Sequence, residues 1–296
     1  MPPRPVLVVN PMASAVTEER IRRVARELGA GDILRTEERA HGIELVRAAS
    51  SEWDAIVVFS GDGGFNEALN GLARDIPVGF LPGGGTNVLS RALGLPRDPV
   101  RAAAQVSAAL AAGRTRRISV GRVNGRRFGF SAGVGFDAEL IRRVDELGRR
   151  HDGRRPGDVA FAREAVRVLR SGGGGPDPVL ELDGDARAAA VLVANCDPYT
   201  YFGPIPLHVA PEARFELGLD VVAPLSARPR AVPRFLAYAL LGRGQERAAD
   251  VVYRHDVDRV TVRSETAIPV HADGEDLGDA REVVFEAERD AVSVLV

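Results

Sequence analysis

The sequence predicts a chain of two domains, an N-terminal α/β domain with a Rossmann-like parallel sheet and a C-terminal antiparallel β-sandwich. Three observations support this prediction. The first part of the chain alternates short apolar strands with helical patterns, and the rest carries many short strands separated by turn residues. The chain has 296 residues, more than one hydrophobic core usually serves. We place the boundary by this change of pattern, giving domains at residues 1–115 and 116–296.

The elements of the first domain follow from its apolar pattern. Residues 5–10 predict a strand, and residues 17–28 a helix with Thr17 as N-cap. The unbroken apolar run at 54–59 is typical of a parallel strand that is covered on both faces. Further helices are expected at 65–73, 88–93 and 99–112, and a further strand at 77–81.

The second domain begins with a strand–turn–strand unit over 117–131, because Asn124-Gly125 favours a type I′ turn. Helical patterns follow at 137–147 and 158–170, and four glycines at 172–175 predict a flexible loop. Strands are then expected at 179–182, 189–194, 219–222, 250–253, 259–262 and 283–286. Such a series of short strands is typical of a sandwich or an open barrel.

Composition narrows the class of protein. The chain is 45% hydrophobic and 27% charged with a net charge of −2, which gives no electrostatic reason to expect nucleic acid as the partner. Cys196 is the single cysteine, so no disulfide can form within the chain. We expect no signal peptide and no transmembrane segment, because no apolar run is long enough. The sequence also lacks lysine, which excludes a Walker A loop or a protein-kinase site in its usual form.

Two glycine-rich runs follow successive strands of the first domain. Residues 60–67 read Ser-Gly-Asp-Gly-Gly-Phe-Asn-Glu, and residues 82–87 read Pro-Gly-Gly-Gly-Thr-Asn. Each run opens a helix, so backbone N–H groups at both places can hold an anion such as phosphate. Asp62 beside phosphate indicates that a cation mediates, and Mg²⁺ fits best. Asn10-Pro11, at the end of the first strand, falls at the same edge of the sheet.

These motifs resemble the catalytic domain of the diacylglycerol/sphingosine kinase family, and the whole chain is similar to soluble bacterial diacylglycerol-kinase-like lipid kinases. The resemblance rests on Asn-Pro after the first strand, Gly-Asp-Gly-x-x-Asn-Glu, and Pro-x-Gly-x-x-Asn followed by Arg91. It continues through the second half in segments 135–138, 194–195, 210–211 and 273–275. The resemblance implies an N-terminal ATP-binding domain, a C-terminal lipid-binding sandwich, and an active site in the cleft between them.

The cofactors implied are ATP and Mg²⁺, with Asp62 as a catalytic residue and metal ligand. The expected nucleotide contacts are Asn10, Pro11, Met12, Ala13, Ser14, Thr36, Gly61, Asp62, Gly63, Gly64, Phe65, Asn66, Glu67, Gly84, Gly85, Thr86 and Asn87.

The Asp273-Gly274-Glu275 turn supplies the general base in this family pattern, since phosphoryl transfer needs a group that accepts the proton of the alcohol. Glu275 is the preferred base and Asp273 the competitor.

The chain departs from the family pattern at several places. Gly64 stands where threonine is common, and Gly85, Val88 and Ser14 also differ, so phosphate would be held through backbone N–H groups. The family's structural Mg²⁺ turn matches poorly because Leu217 stands where a carboxylate is expected, which leaves Glu216 as the candidate ligand.

The predicted activity is transfer of the ATP γ-phosphate to the hydroxyl of a diacylglycerol-like lipid. Two alternatives stay open, a kinase for a soluble acceptor such as NAD and a non-catalytic relative that binds nucleotide or lipid. We expect a cytoplasmic protein that associates transiently with the membrane surface to reach its lipid. A homodimer stays open as well, and the sequence does not identify the acceptor lipid.

Overall fold

The computed structural model describes residues 3–151, 163, 167, 180–226 and 231–296. The helix expected at 158–170 and the glycine loop at 172–175 therefore lie outside the described residues, apart from Arg163 and Arg167. The chain divides into two compact units, Met1–Val120 with Arg289–Val296 and Gly121–Glu288. The boundary expected at residue 115 lies close to this division, but the sequence does not predict the return of the last eight residues to the first unit.

The first unit is built on a parallel sheet. Its strands are β1 (Pro5–Val9), β2 (Asp32–Arg35), β3 (Ala55–Ser60) and β4 (Val78–Pro82), and its helices are α1 (Glu18–Leu28), α2 (His41–Glu52), α3 (Asp62–Gly71), α4 (Val88–Ala92) and α5 (Pro99–Ala111). The strand order is β4-β3-β1-β2, with every neighbouring pair parallel. This is the Rossmann-like arrangement that the sequence predicts.

The helices of this unit form where the sequence provides start and stop signals. Thr17 caps α1, because its hydroxyl accepts a hydrogen bond from the Arg20 N–H at 3.3 Å, and Gly29 ends the helix in the left-handed region at φ 62°. Asp98 caps α5 in the same way. α1 and α5 contact each other, as do α2 and α3. Buried side chains of α1 and α5 share one core with β1, β3 and β4.

The strands of the second unit are antiparallel. They are β5 (Arg116–Val123), which starts in the first unit, β6 (Arg126–Phe128), β7 (Ser131–Val134), β8 (Leu180–Leu182), β9 (Ala186–Ala188), β10 (Val191–Ala194), β11 (Thr200–Phe202), β12 (Ile205–Leu207), β13 (Leu219–Pro224), β14 (Val251–Val257), β15 (Arg259–Ala272) and β16 (Glu275–Val294), which ends in the first unit. The helices are α6 (Phe136–His151) and α7 (Val232–Leu241), and a short 3₁₀ turn spans Gln245–Arg247.

Two long strands organise this unit. β15 pairs with β8 near residue 262 and with β7 near residue 271, and β16 runs alongside both halves. The register shifts between Arg263 and Ile268, and this irregularity separates the part of β15 that pairs with β8 from the part that pairs with β7. Buried side chains of β7, β8, β10, β13, β15 and β16 form one core. The unit is the β-sandwich that the sequence predicts, but its last two strands extend well beyond the short segments expected at 259–262 and 283–286.

Three further differences concern helices. α3 begins at Asp62 rather than at residue 65, so the first glycine run forms the first helical turn. The sequence patterns do not predict α2 or α7. None of the helices that the structure describes combines the length and the hydropathy that crossing a bilayer requires.

Candidate active site

The carboxyl ends of β1, β2 and β3 border a small pocket in the first unit. In the sheet, β2 lies on one side of β1, whereas β3 and then β4 lie on its other side. The switch point of the sheet is therefore between β1 and β3. Ligands of open α/β sheets bind outside the carboxyl ends of the strands at such a point. The pocket here is lined by Val8, Asn10, Thr36, Gly42, Val46, Val58, Ser60, Gly64 and Glu67.

Asn10 and Thr36 end the first two strands at this pocket. The Asn10 side-chain oxygen accepts a hydrogen bond from the Met12 N–H at 2.9 Å, and the Asn10 carbonyl accepts one from the Ala13 N–H at 3.2 Å. Asn10 therefore fixes the turn that leads to α1. Thr36 donates its N–H to Val9 at 2.9 Å, which holds it beside the end of β1. Met12 is 85% exposed, so this turn presents its side chain to solvent.

The first turn of α3 carries Asp62, Gly63 and Gly64. The first intrahelical hydrogen bond runs from the Phe65 N–H to the Gly61 carbonyl, so the N–H groups of this turn make no bond within the helix. These groups and the helix dipole favour an anion here. The Asp62 carboxylate is buried and accepts a hydrogen bond from the Leu89 N–H at 3.2 Å, which ties the first glycine run to α4.

The two glycine runs touch through their backbones. A Cβ added at Gly84 would lie 2.8 Å from the Gly61 Cα, and one added at Gly61 would lie 3.2 Å from the Gly84 Cα. The Gly83 N–H donates to the Ser60 carbonyl at 2.7 Å, and the Ala15 N–H donates to the Gly83 carbonyl at 2.8 Å. Three segments that follow different strands are thus joined by main-chain bonds. Only glycine allows an approach this close.

Asn87 closes the second glycine run. Its side-chain oxygen accepts from the Gly84 N–H at 2.7 Å, and its amide donates back to the Gly84 carbonyl at 2.6 Å. Asn87 has φ 53°, in the left-handed region that asparagine tolerates better than most residues. Gly85 is exposed, with open space where a side chain would stand, and Thr86 is half-buried beside it. The run therefore has a fixed base and an open tip.

Ser60 explains why residue 64 is glycine. A Cβ at Gly64 would lie 2.1 Å from the Ser60 Oγ and 2.6 Å from the Ser60 Cβ, so the serine side chain fills the space beside the helix. The Ser60 hydroxyl is buried and has no hydrogen-bond partner among the described residues. Position 64 itself carries no hydroxyl, and the hydroxyl of Ser60 stands next to that position.

Phe65, Asn66 and Glu67, three of the predicted nucleotide contacts, make contacts within the protein or are buried in it. The Glu67 carboxylate accepts hydrogen bonds from the N–H groups of Ala40 and Gly42 at 2.9 and 3.0 Å, and so caps the start of α2. The Phe65 ring is buried against Phe80, with the ring centroids 5.2 Å apart. Asn66 is buried as well. The Phe65 and Asn66 side chains are therefore buried, whereas Glu67 lines the pocket.

The second unit carries the Asp273-Gly274-Glu275 turn between β15 and β16. Both Asp273 and Gly274 have positive φ, at 48° and 74°, as a type I′ turn requires. The Asp273 carboxylate is buried and accepts hydrogen bonds from the N–H groups of three consecutive residues, Gly129, Phe130 and Ser131, at 2.7, 3.0 and 3.3 Å. Asp273 therefore joins the turn to the segment between β6 and β7.

Glu275 is more accessible than Asp273. Its side chain is 25% exposed and forms an ion pair with Arg126 at 3.1 Å. Cross-strand pairs share a face of a sheet, and Glu275 pairs with Ala272 while Asp276 pairs with His271. Glu275 and His271 therefore point to opposite faces.

His271 instead belongs to a buried polar cluster that the sequence did not reveal. Its Nε2 lies 2.7 Å from the Asp137 carboxylate at the start of α6, and the Tyr199 hydroxyl donates to the same oxygen at 2.5 Å. Burial alone would raise the pKa of Asp137. The neighbouring His271 and the hydrogen bonds with His271 and Tyr199 together lower this pKa by more than burial raises it, so the pKa of Asp137 lies below its ordinary value. Burial and the neighbouring Asp137 raise the pKa of Tyr199 well above its ordinary value.

Glu216 is the candidate ligand of the second metal site. Glu216 is exposed, and the described residues contain no group of three or more His, Cys, Asp or Glu side chains arranged to hold a metal ion. The nearby Asp220 is fully buried and accepts hydrogen bonds from the Tyr253 hydroxyl, His255 Nδ1 and the Asp256 N–H. Burial raises the pKa of Asp220 although these partners act in the opposite direction.

Comparison with known proteins gives the family. Residues 4–123 match the model of the diacylglycerol kinase catalytic domain, and residues 131–296 match that of the YegS C-terminal NAD kinase beta sandwich-like domain. A diacylglycerol kinase of Bacillus subtilis is 42% identical over 96 residues, 31% of this chain and 31% of that protein. Human sphingosine kinase 2 is 39% identical over 107 residues, 31% of this chain and 16% of that protein. The matched region is thus less than a third of either relative.

Solved structures show the same fold over nearly the whole chain. A diacylglycerol kinase from Bacillus anthracis superposes with a TM-score of 0.71 at 20% identity, covering 99% of this chain and 96% of the other. An NAD kinase from Archaeoglobus fulgidus, solved in complex with ATP, superposes with a TM-score of 0.52 at 15% identity, covering 99% of this chain and 93% of the other. Since the two family models together cover almost all of the sequence, the chain belongs to the diacylglycerol kinase catalytic-domain family, in the form that carries a YegS-type C-terminal β-sandwich domain.

Proposed function

We propose that the protein transfers the γ-phosphate of ATP to the hydroxyl of a diacylglycerol-like lipid, and that it requires Mg²⁺. The observation that carries this proposal is the pocket at the switch point of the parallel sheet. Asn10, Thr36, Ser60 and Gly64 line it, and the first glycine run is joined to the second beside it. A nucleotide phosphate placed there meets backbone N–H groups of the first turn of α3. The names of the relatives, diacylglycerol kinase and sphingosine kinase 2, favour a lipid acceptor.

Asp62 fits a magnesium ion that arrives with ATP. A carboxylate at a helix start that otherwise attracts anions is consistent with a cation between it and the phosphates. Mg²⁺ commonly binds through one or two carboxylates together with phosphate oxygens and water, so a single protein carboxylate is sufficient. When bound, the ion neutralises charge that develops on the phosphate oxygens during transfer. The described residues show no cluster of ligands for an ion held by the protein alone.

Glu275 is the better candidate for the general base. The base must accept the proton of the lipid hydroxyl while the hydroxyl oxygen bonds to the γ-phosphorus and ADP leaves. Both carboxylate oxygens of Asp273 already accept backbone N–H bonds, which stabilise its charged form and bind it to the 129–131 segment. Glu275 keeps part of its side chain exposed. We therefore assign proton acceptance to Glu275 and the positioning of the turn to Asp273.

An acceptor panel with γ-labelled ATP tests the proposal. Diacylglycerol and sphingosine are offered in detergent micelles, NAD is offered in solution, and each reaction is run with and without Mg²⁺. We expect label in the lipid phase that requires Mg²⁺ and falls in Asp62→Ala. Label in NAD alone would establish a kinase for a soluble acceptor, and nucleotide binding without transfer to any acceptor would establish a non-catalytic relative. Either result overturns the proposal.

A further inference from the structure

Ser60 carries a hydroxyl for which the fold provides no partner. The residue ends β3 and is 1% exposed, and its Oγ makes no hydrogen bond among the described residues. A buried hydroxyl without a partner destabilises a folded protein, and alanine would fill nearly the same space without that penalty. Serine at this position therefore requires an explanation outside the fold itself.

The Ser60 side chain faces the pocket at the switch point of the sheet. Side chains alternate along a strand, and Phe59 packs in the core that includes α1 and α5. Val58 and Ser60 therefore lie on the other face of β3, and both line the pocket. The Oγ also stands beside the first turn of α3, because a Cβ at Gly64 would lie 2.1 Å from it. The hydroxyl is thus buried, without a partner, and directed toward the pocket.

The polar groups around this hydroxyl favour an anion. The first hydrogen bond within α3 is donated by Phe65, so the N–H groups of the first turn have no acceptor within the helix. Asn10 uses its side-chain oxygen to accept the Met12 N–H, and its amide N–H groups make no hydrogen bond to the described residues. The Glu67 carboxylate also lines the pocket, but both of its oxygens accept N–H groups at the start of α2. A phosphate on the α3 side of the pocket therefore meets several donors.

We propose that the Ser60 hydroxyl donates a hydrogen bond to a phosphate oxygen of ATP held at the start of α3. The inference rests on the proposed function, because it takes ATP as the ligand of this pocket. It adds a binding residue that was not among the expected nucleotide contacts. Gly64 contributes to the same arrangement, since the absence of a side chain there leaves room for the Ser60 Oγ beside the helix. The nucleotide supplies the partner that the fold does not, and a hydrogen bond to a charged phosphate is stronger than one between neutral groups.

Replacement of Ser60 by alanine separates a role in binding from a role in folding. Ser60→Ala keeps the Cβ and removes only the Oγ. Without nucleotide, we expect the variant to unfold at the same denaturant concentration as the wild type or at a higher one, because the hydroxyl that it loses has no partner in the fold. Its affinity for ATP, measured by calorimetry, should be lower by at least about tenfold.

Ser50→Ala is the matched control. Ser50 is also 1% exposed and lies in the first unit, but its hydroxyl donates to the Val46 carbonyl at 2.7 Å. The two measurements should therefore change in the opposite way. We expect Ser50→Ala to unfold at a lower denaturant concentration than the wild type and to bind ATP with the wild-type affinity.

Tripolyphosphate and adenosine show which part of the nucleotide the hydroxyl contacts. Ser60→Ala should weaken the binding of tripolyphosphate by about the same factor as that of ATP, and it should leave the binding of adenosine unchanged. Both ligands are measured by calorimetry on the wild type and on the variant.

The hydroxyl can also be moved to the neighbouring position. In Ser60→Gly/Gly64→Ser, the new Cβ lies 2.1 Å from the place of the lost Oγ, so the new hydroxyl reaches the same part of the pocket. This variant should bind ATP more tightly than Ser60→Gly/Gly64→Ala, which has the same Cβ and no hydroxyl.

Four results would overturn the inference. Ser60→Ala binds ATP like the wild type, or it loses affinity for adenosine rather than for tripolyphosphate. Ser60→Ala unfolds at a clearly lower denaturant concentration, which would show that the hydroxyl serves the fold through an ordered water. The two double variants bind ATP equally, which would show that the hydroxyl is not what the phosphate requires.

Failure of the proposed function gives a different result. If Ser60→Ala weakens ATP binding as expected but the wild type phosphorylates no lipid, the kinase assignment fails alone. If the wild type phosphorylates lipid and Ser60→Ala binds ATP with the wild-type affinity, only the inference about Ser60 fails.

Discussion

Replacing Gly64 by alanine tests whether Ser60 and the start of α3 are packed as tightly as the structure shows. The new Cβ would lie 2.1 Å from the Ser60 Oγ and 2.6 Å from the Ser60 Cβ. A rotation of the serine moves the Oγ but not the Cβ, so the backbone has to shift. That shift is resisted, because Ser60 is paired with Pro82 in the sheet and accepts the Gly83 N–H at 2.7 Å.

The size of the effect follows from two opposing contributions. Overpacking of a well-filled site typically costs about 1–3 kcal/mol, and alanine in place of glycine within a helix gains up to about 1 kcal/mol. We therefore expect Gly64→Ala to lower the free energy of unfolding by about 1–2 kcal/mol. In a Ser60→Gly background the obstacle is gone, and the same substitution should be neutral or stabilising. The coupling energy between the two positions should then be about 2 kcal/mol.

Trp53 provides the assay. It is the only tryptophan of the chain and is buried in the first unit, so its fluorescence during denaturant unfolding reports on the unit that contains both positions. The four proteins of the double-mutant cycle are the wild type, the two single variants and the double variant. Free energies that add to within roughly 0.5 kcal/mol would refute the contact, because independent sites behave in that way.

The remaining predictions concern the two candidate site regions. Gly84→Ala should weaken ATP binding by at least about tenfold, because its Cβ would press against the Gly61 Cα and a displacement of about 1 Å at a binding site can cost far more. Gly85→Ala, with open space around the new Cβ, is the matched control. If calorimetry gives Gly84→Ala and Gly85→Ala the same affinity for ATP, the close contact between the two glycine runs is contradicted. Glu67→Ala should lower the free energy of unfolding by about 1–2 kcal/mol, because the Ala40 and Gly42 N–H groups at the start of α2 lose their acceptor. Glu52→Ala, at the exposed end of α2, is the control and should leave the free energy of unfolding nearly unchanged in the same denaturant assay. Asp137→Asn tests the buried cluster through pH. The folded pKa of Asp137 lies below its ordinary value, so its charge stabilises the fold above about pH 4 and this contribution is lost as the pH falls through the folded pKa. The variant should be less stable than the wild type by about 1–3 kcal/mol at pH 6, with a smaller difference at about pH 3 in acid-unfolding curves; a difference that does not depend on pH would show that the carboxylate charge is not involved.

Local patterns in the sequence were sufficient for β1, β3 and β4 of the parallel sheet and for both glycine runs. Continuous apolar segments, capping residues such as Thr17, and the positive-φ turn residues Asn124-Gly125 and Asp273-Gly274 all act within a few positions of the chain. The positions of these elements could therefore be predicted, and the relation of Asn10 to both runs followed from the rule for strand ends.

The parts that could not be predicted depend on residues far apart in the sequence. Gly64 looks like a departure from the family until Ser60 is seen beside it. Glu67 looks like a ligand contact, yet its carboxylate also caps a helix more than 20 residues away. His271 is four positions before the predicted base Glu275 in the sequence. Strand alternation places its side chain on the opposite face of the sheet, where it contacts Asp137. Helix α7 was missed because its apolar residues show no polar face to mark a helix.

The central claim is that the glycine runs bind the nucleotide while Glu275 accepts the proton of the lipid hydroxyl, and one comparison separates the two roles. Glu275→Gln is measured for ATP affinity by calorimetry and for phosphate transfer to diacylglycerol in a single turnover, beside Glu282→Gln, an exposed glutamate of the same strand that pairs with Arg263. We expect both variants to bind ATP like the wild type and Glu282→Gln to transfer phosphate normally. Transfer in Glu275→Gln should be slower by at least about a hundredfold. Transfer at the wild-type rate in Glu275→Gln would contradict the central claim.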